Sequence, residues 1–260
     1  MLQAYLSLGV DVFIKNKLRT AAFLSDLQKQ SGISLTDEQI RRIRFYTIQS
    51  SLTNNWFSTL TGAKPGNEAT QKALCLGALT PLLDSLTDDF GFRHAELFER
   101  IKNSDGQASN QIRLAYYLHD QVMKDDDEVF STYFKEVIRL QDVSLKQLQK
   151  DKLPFDELYD ITRAKGGYST LLYRSVLGMP LISGEEDAIY HLGGILQLTN
   201  DMFDVYKDYK NGQQTLFTNT EDVGKLRALY VELIENMCGK FLALGYPSES
   251  KRQALLKILI

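Results

Sequence analysis

The chain has 260 residues, 43% of them hydrophobic and 24% charged, with a formal net charge of −3 and an isoelectric point near 5.7. It is long enough for a large core, and its mildly acidic balance, with no basic window interleaved with aromatics, excludes a nucleic-acid partner. No run approaches the roughly 18 apolar residues of a membrane span, so no integral membrane segment is expected. The opening stretch MLQAYLSLGVDVFIKNKLRT carries Asp11 within its apolar part and lacks a basic n-region, which argues against a signal peptide. Cys75 and Cys238 lie far apart in apolar helical contexts. They read as buried free thiols of a reducing compartment, with the cytoplasm as the expected location.

Apolar residues recur at three- and four-residue intervals almost throughout, and there are five prolines. This predicts an all-α chain without strands. About ten helices are expected, near residues 4–30, 36–61, 68–89, 93–103, 108–123, 126–149, 155–177, 185–210, 220–244 and 249–259. The second opens on Thr36 followed by Gln39, a capping box. The third ends in LTPLLDSLTDDF, where Asp84 and Asp88 are four apart and Asp89 follows. KDDDE at 124–128 suits the positive end of the helix dipole ahead of 126–149. RAKGGYS at 163–169 holds a glycine pair inside a helical pattern. The helix at 185–210 contains QLTNDMFDVYKD, in which Asn200, Asp204 and Asp208 recur at four-residue spacing and a helix stacks their oxygens on one face. Connections are short, with no repeat and no shift in composition, so one domain over 1–260 is expected. The long helices 36–61 and 185–210 carry polar residues within their apolar faces, which suits the walls of a cavity.

A carboxylate on a buried helical face must be paired, protonated or bound to a metal. Each cluster also has a plain reading. LTDDFGF can be a helix end stopped by Gly91, although acidic groups at a helix C-terminus oppose the dipole. The group at 200–208 can be an exposed face paired with Lys207 and Lys210. Two such clusters together invite a hard cation, and oxygen donors without Cys or His select Mg²⁺ or Mn²⁺. Such an ion shares its remaining positions with water and phosphate oxygens, which points to a phosphorylated substrate. A Walker loop and a dinucleotide fingerprint are absent. His94, His119 and His191 stand apart from one another without a Ser or Cys partner, so a hydrolase triad has no support.

These motifs resemble those of the class I isoprenoid synthases, which include trans-prenyltransferases, squalene and phytoene synthases and class I terpene cyclases. DSLTDDFGFR at 84–93 looks like the first aspartate-rich motif, with Asp84 and Asp88 as metal ligands and Arg93 as the basic residue that contacts diphosphate. Lys165 resembles the diphosphate-binding lysine of a kinked helix. GGILQLTNDMFDVYKD at 193–208 follows the pattern G-x-x-x-Q-x-x-D-D-x-x-D-x-x-x-D with Asn200 in place of the first Asp, and it also fits the cyclase pattern N-D-x-x-S/T-x-x-x-E with Asp204 and Asp208 replacing the hydroxyl residue and the glutamate. NGQQTL is similar to the turn after the second motif.

The resemblance implies a single-domain helical bundle around a central cavity, the isoprenoid synthase fold. It implies metal ligation by Asp84, Asp88, Asn200, Asp201, Asp204 and Asp208, with Mg²⁺, three ions in number, or Mn²⁺. Arg93 and Lys165 then bind the diphosphate of a prenyl diphosphate substrate, which ionises to an allylic cation and cyclises or condenses, with no protein nucleophile. Phe45, Trp56, Phe57, Tyr116, Tyr168 and Tyr173 are candidate cavity walls. The first motif is D-x-x-x-D-D instead of D-D-x-x-D, and the N-terminal G-G-K and R pattern of chain-elongating enzymes is absent. A terpene cyclase is therefore favoured. The alternatives are a head-to-head squalene- or phytoene-type prenyltransferase and a non-catalytic prenyl-lipid-binding relative, and monomer and homodimer both stay open.

Overall fold

The computed structural model describes residues 13–90, 93, 96, 109–124 and 127–258. Among these there are eleven α-helices and one 3₁₀ turn and no strand, so the all-α expectation holds. We number the helices α1 (Phe13–Ser31), α2 (Asp37–Thr61), α3 (Asn67–Phe90), α4 (Asn110–Met123), α5 (Glu128–Ser144), α6 (Phe155–Ser175), α7 (Glu185–Phe203), α8 (Val205–Lys210), α9 (Leu216–Asn219), α10 (Val223–Ala243) and α11 (Ser248–Ile258). Two expectations are refined. The helix expected over 185–210 is broken at Asp204, and a short helix, α9, precedes α10. The helix expected at 93–103 lies outside the described residues apart from Arg93 and Glu96.

The chain divides into two compact units, one within Met1–Ser58 and Ala63–Asp127 and the other formed by Thr59–Gly62 and Glu128–Ile260. In the first, the expected capping box opens α2. Thr36 N–H donates to Gln39 Oε1 at 3.0 Å and Gln39 N–H to Thr36 Oγ1 at 3.3 Å. Helices α2 and α3 approach closely at Gly77, where a β-carbon would lie 2.8 Å from that of Ser50, and Ser50 Oγ donates to the Ala73 carbonyl at 2.5 Å. Ile43, Phe57, Leu79, Leu114 and Leu118 form the wholly buried centre of this unit. Pro81 sits inside α3 and removes one backbone rung just ahead of Asp84.

In the second unit α6 packs along α7 and, on its other side, against α5, while α10 covers α7. Asp156 and Glu157 in the first turn of α6, and Glu185, Glu186 and Asp187 in that of α7, complement the helix dipoles. Gly184 begins α7 from a φ of 80°, a conformation a side chain resists. Phe130, Leu158, Leu192, Leu216, Met237 and Phe241 fill the core.

Candidate functional site

The second acidic segment is set against α6 by glycines. A β-carbon on Gly166 would overlap the Gly193 carbonyl oxygen, and one on Gly193 would overlap that of Gly166. One on Gly194 would lie 3.3 Å from Arg163 Cγ. Gly166 and Gly193 thus let the backbones of α6 and α7 touch, while Gly167 makes room for the Tyr190 ring. The glycine pair noted in the sequence is a packing device, not a phosphate loop.

Across this crossing, Asp201 is 5% exposed and accepts hydrogen bonds from Gln197 Nε2 at 2.8 Å and Thr162 Oγ1 at 3.3 Å. Burial pushes its pKa from 3.8 up to about 6, against the pull of Gln197 and the Lys165 ammonium. Asp208, on α8, is also buried, and burial followed by the neighbouring Asp204 charge raises it, with Lys207 and Lys165 opposing. Lys165 therefore acts on both carboxylates. Asp204 is partly exposed, sits at the helix break and pairs with Lys207 at 3.5 Å. The backbone rungs continue through the break, with Asp204 N–H donating to Asn200 O at 2.9 Å and Asp208 N–H to Asp204 O at 2.8 Å.

The expected face of Asn200, Asp204 and Asp208 is corrected at its first member. Asn200 is exposed, and its neighbour Asp201 takes the inward position, because Gln197, Asp201, Asp204 and Asp208 follow the three- and four-residue steps of the helix. Of the first acidic segment, Asp84 is half-buried on α3, next to Ser85, whose hydroxyl accepts from Arg42 at 2.6 Å. The side chain of Asp88 lies outside the described residues, and Arg93 is exposed. Among the expected wall residues, Phe45 and Tyr116 face solvent, while Trp56 and Phe57 are core residues in edge-to-face contact at 4.8 Å. Tyr168 stands in a row between Tyr133 and Tyr190, with ring centroids 6.3 and 5.5 Å away.

Among the described residues, no three His, Cys, Asp or Glu side chains are grouped to hold a metal ion. The donor chemistry nevertheless fits a hard dication, since two buried carboxylates, Asp201 on α7 and Asp208 on α8, gain from any charge that lets them ionise. Thr162 and Gln197 were not singled out as site residues in the sequence. Gln197 is the glutamine of the quoted family pattern, four residues before Asp201, whereas the signal for Thr162 is spacing alone, three residues before Lys165.

No family model matches the chain, and no curated protein matches it in sequence. Among solved structures, a geranyltranstransferase from Thermotoga maritima is similar over 94% of this chain and 96% of that one, with a TM-score of 0.57 at 12% identity. The fold is that of an isoprenoid synthase. No helix among the described residues is long and apolar enough to cross a membrane.

Proposed function

We propose that this isoprenoid-synthase-like chain is a Mg²⁺-dependent enzyme that ionises a prenyl diphosphate, after which the allylic chain cyclises or condenses. The observation that carries the reading is the pair of buried carboxylates, Asp201 and Asp208, both under the influence of Lys165 across a glycine-lined crossing. The structural likeness to a geranyltranstransferase supports the substrate class.

When bound, Mg²⁺ neutralises charge developing on the departing diphosphate. Asp201, Asp204 and Asp208 would hold it, with Asn200 at the margin. Gln197 and Thr162 fix the Asp201 carboxylate through its two oxygens, so its direction does not depend on the ion. Lys165 supplies a compact positive charge to the diphosphate oxygens and favours the ionised form of both acids. No side chain need attack carbon. For Asp84, Asp88 and Arg93 the proposal keeps the roles implied by the resemblance.

The test is diphosphate release from geranyl, farnesyl and geranylgeranyl diphosphate with and without Mg²⁺, with product masses, in wild type, Asp201→Asn and Lys165→Ala. Metal-dependent release that falls at least about a hundredfold in Asp201→Asn, with an unchanged circular dichroism spectrum, is expected. The product mass then separates cyclisation from condensation. A second reading, a non-catalytic prenyl-lipid-binding relative, is favoured by Asn200 standing exposed where the family pattern has an aspartate. Tight farnesyl diphosphate binding without release from any substrate would select it and overturn the catalytic reading.

A further inference from the structure

A surface helical segment ordinarily turns its apolar side inward. From Met202 to Lys210 the order is inverted. Asp208 is 5% exposed, whereas Phe203, Tyr206 and Tyr209 are 79%, 69% and 74% exposed, and Met202 is open as well. The cause lies in the spacing, because Asp201 and Asp208 take the inward positions, with Asp204 partly exposed between them, and the aromatic residues among them point outward. Large rings left in water forgo the burial that would stabilise them, and several of them in one short segment mark an interaction surface.

The charges on this face say what it meets. Lys207 is well exposed, and Lys210 Nζ lies 4.4 Å from the centroid of the Tyr206 ring. Asp204 is paired with Lys207 and offsets its charge, whereas Asp201 and Asp208 are buried, so the outward positive charge of the segment rests chiefly on Lys210. Tyrosine and phenylalanine rings with lysines among them are the composition of a headgroup-level contact, where rings sit among the lipid glycerols and ammonium groups reach phosphate. A subunit interface, in contrast, is depleted in lysine.

We infer that the outer face of residues 202–210 docks the protein peripherally on an anionic lipid surface. The buried acids Asp201 and Asp208 face away from that surface. The inference goes beyond the proposed chemistry and stands whether or not the chain turns over.

Flotation with vesicles of phosphatidylcholine alone, and of phosphatidylcholine with phosphatidylglycerol at about three to one, tests it, alongside light scattering after size exclusion. Wild type is expected to partition about tenfold more strongly onto the anionic vesicles, and about 0.5 M salt should weaken that preference. The triple variant Phe203→Ser, Tyr206→Ser, Tyr209→Ser, folded by circular dichroism, should lose about tenfold in partitioning. Lys207→Gln with Lys210→Gln should lose the anionic preference. Absent binding to both vesicles, or equal binding by the triple variant, overturns the inference. A wild-type dimer that the triple variant converts to monomer, without vesicle binding, also overturns it and assigns the face to a second copy.

Discussion

Arg174 Nε donates to Glu185 Oε1 at 2.6 Å, and neither side chain is exposed at all. The same guanidinium donates to the Met179 carbonyl at 3.2 Å, and Glu185 Oε2 accepts from Ile182 N–H at 3.0 Å and from Tyr246 Oη at 2.7 Å. One buried pair therefore closes the α6–α7 connection and ties it to the segment after α10. Arg174→Met leaves an uncompensated carboxylate in the core and should cost about 3–5 kcal/mol. Tyr246→Phe removes one bond to a charged group and should cost about 2 kcal/mol. Urea unfolding checks both, and an Arg174→Met loss under about 1 kcal/mol would show that the pair is open to water.

The glycine crossing predicts opposite outcomes for the same substitution at two sites. Gly166→Ala drives a methyl group into the Gly193 carbonyl, so the helices must separate, at a cost of about 3 kcal/mol or more. It should also lower Mg²⁺-dependent diphosphate release by displacing Lys165 from Asp201. Gly239→Ala, on an exposed position of α10 with nothing within 4 Å, should raise stability by about 0.5–1 kcal/mol. Thermal unfolding of the two variants decides this.

Asp201 makes stability fall as pH rises through about 4 to 6. Its ordinary pKa is 3.8 and burial raises it to about 6, so within this window the folded chain holds a proton that the unfolded chain has released. Above that window the loss is complete and on the order of 2–3 kcal/mol. Asp201→Asn should therefore be more stable than wild type by about that amount at pH 7.5 and by nothing below about pH 4. Lys165→Gln should move the falling limb to higher pH, because the Lys165 ammonium favours the ionised carboxylate. Denaturant titrations across pH measure both effects, and a flat wild-type profile would contradict the burial of Asp201.

Gln214 is a hub between two loops. Its N–H donates to Gln147 O and its carbonyl accepts from Gln147 Nε2, each at 2.8 Å. Its side chain accepts from Leu153 N–H and Asn219 Nδ2 and donates to the carbonyls of Gln149 and Asp151. Gln214→Ala should cost about 2–3 kcal/mol, and amide exchange should quicken at Leu153 first. Gln213→Ala, next to it, should cost under about 1 kcal/mol, because the Gln213 N–H bond to Asp208 O is a backbone bond that survives.

Much of this was legible in the chain. Helical periodicity and capping signals are local, so the all-α architecture, the Thr36–Gln39 box and most helix positions could be read directly. The acidic segment was visible as well, because aspartates at helical spacing in an apolar stretch stand out. Both Asn200 and Asp201 were named as site residues, but which of them turns inward could not be read, since they are 100° apart on a helix and only the partners Gln197 and Thr162 show that Asp201 is the buried one. The glycines 166–167 and 193–194 could be seen but not interpreted, because their purpose is a meeting between segments about 27 residues apart.

By itself the sequence determined helix content, the two acidic segments and the absence of nucleotide-binding loops, all of which follow from neighbours within a few turns. Only the tertiary structure decided that Asp201 is the buried acid, that Lys165 acts on it and on Asp208, that Arg174 and Glu185 share a closed pocket, and that the aromatic residues from Phe203 to Tyr209 face outward. Each of these depends on which side of one helix another helix covers. Side chains far apart in sequence set that choice, and desolvation then fixes the charge each group can carry.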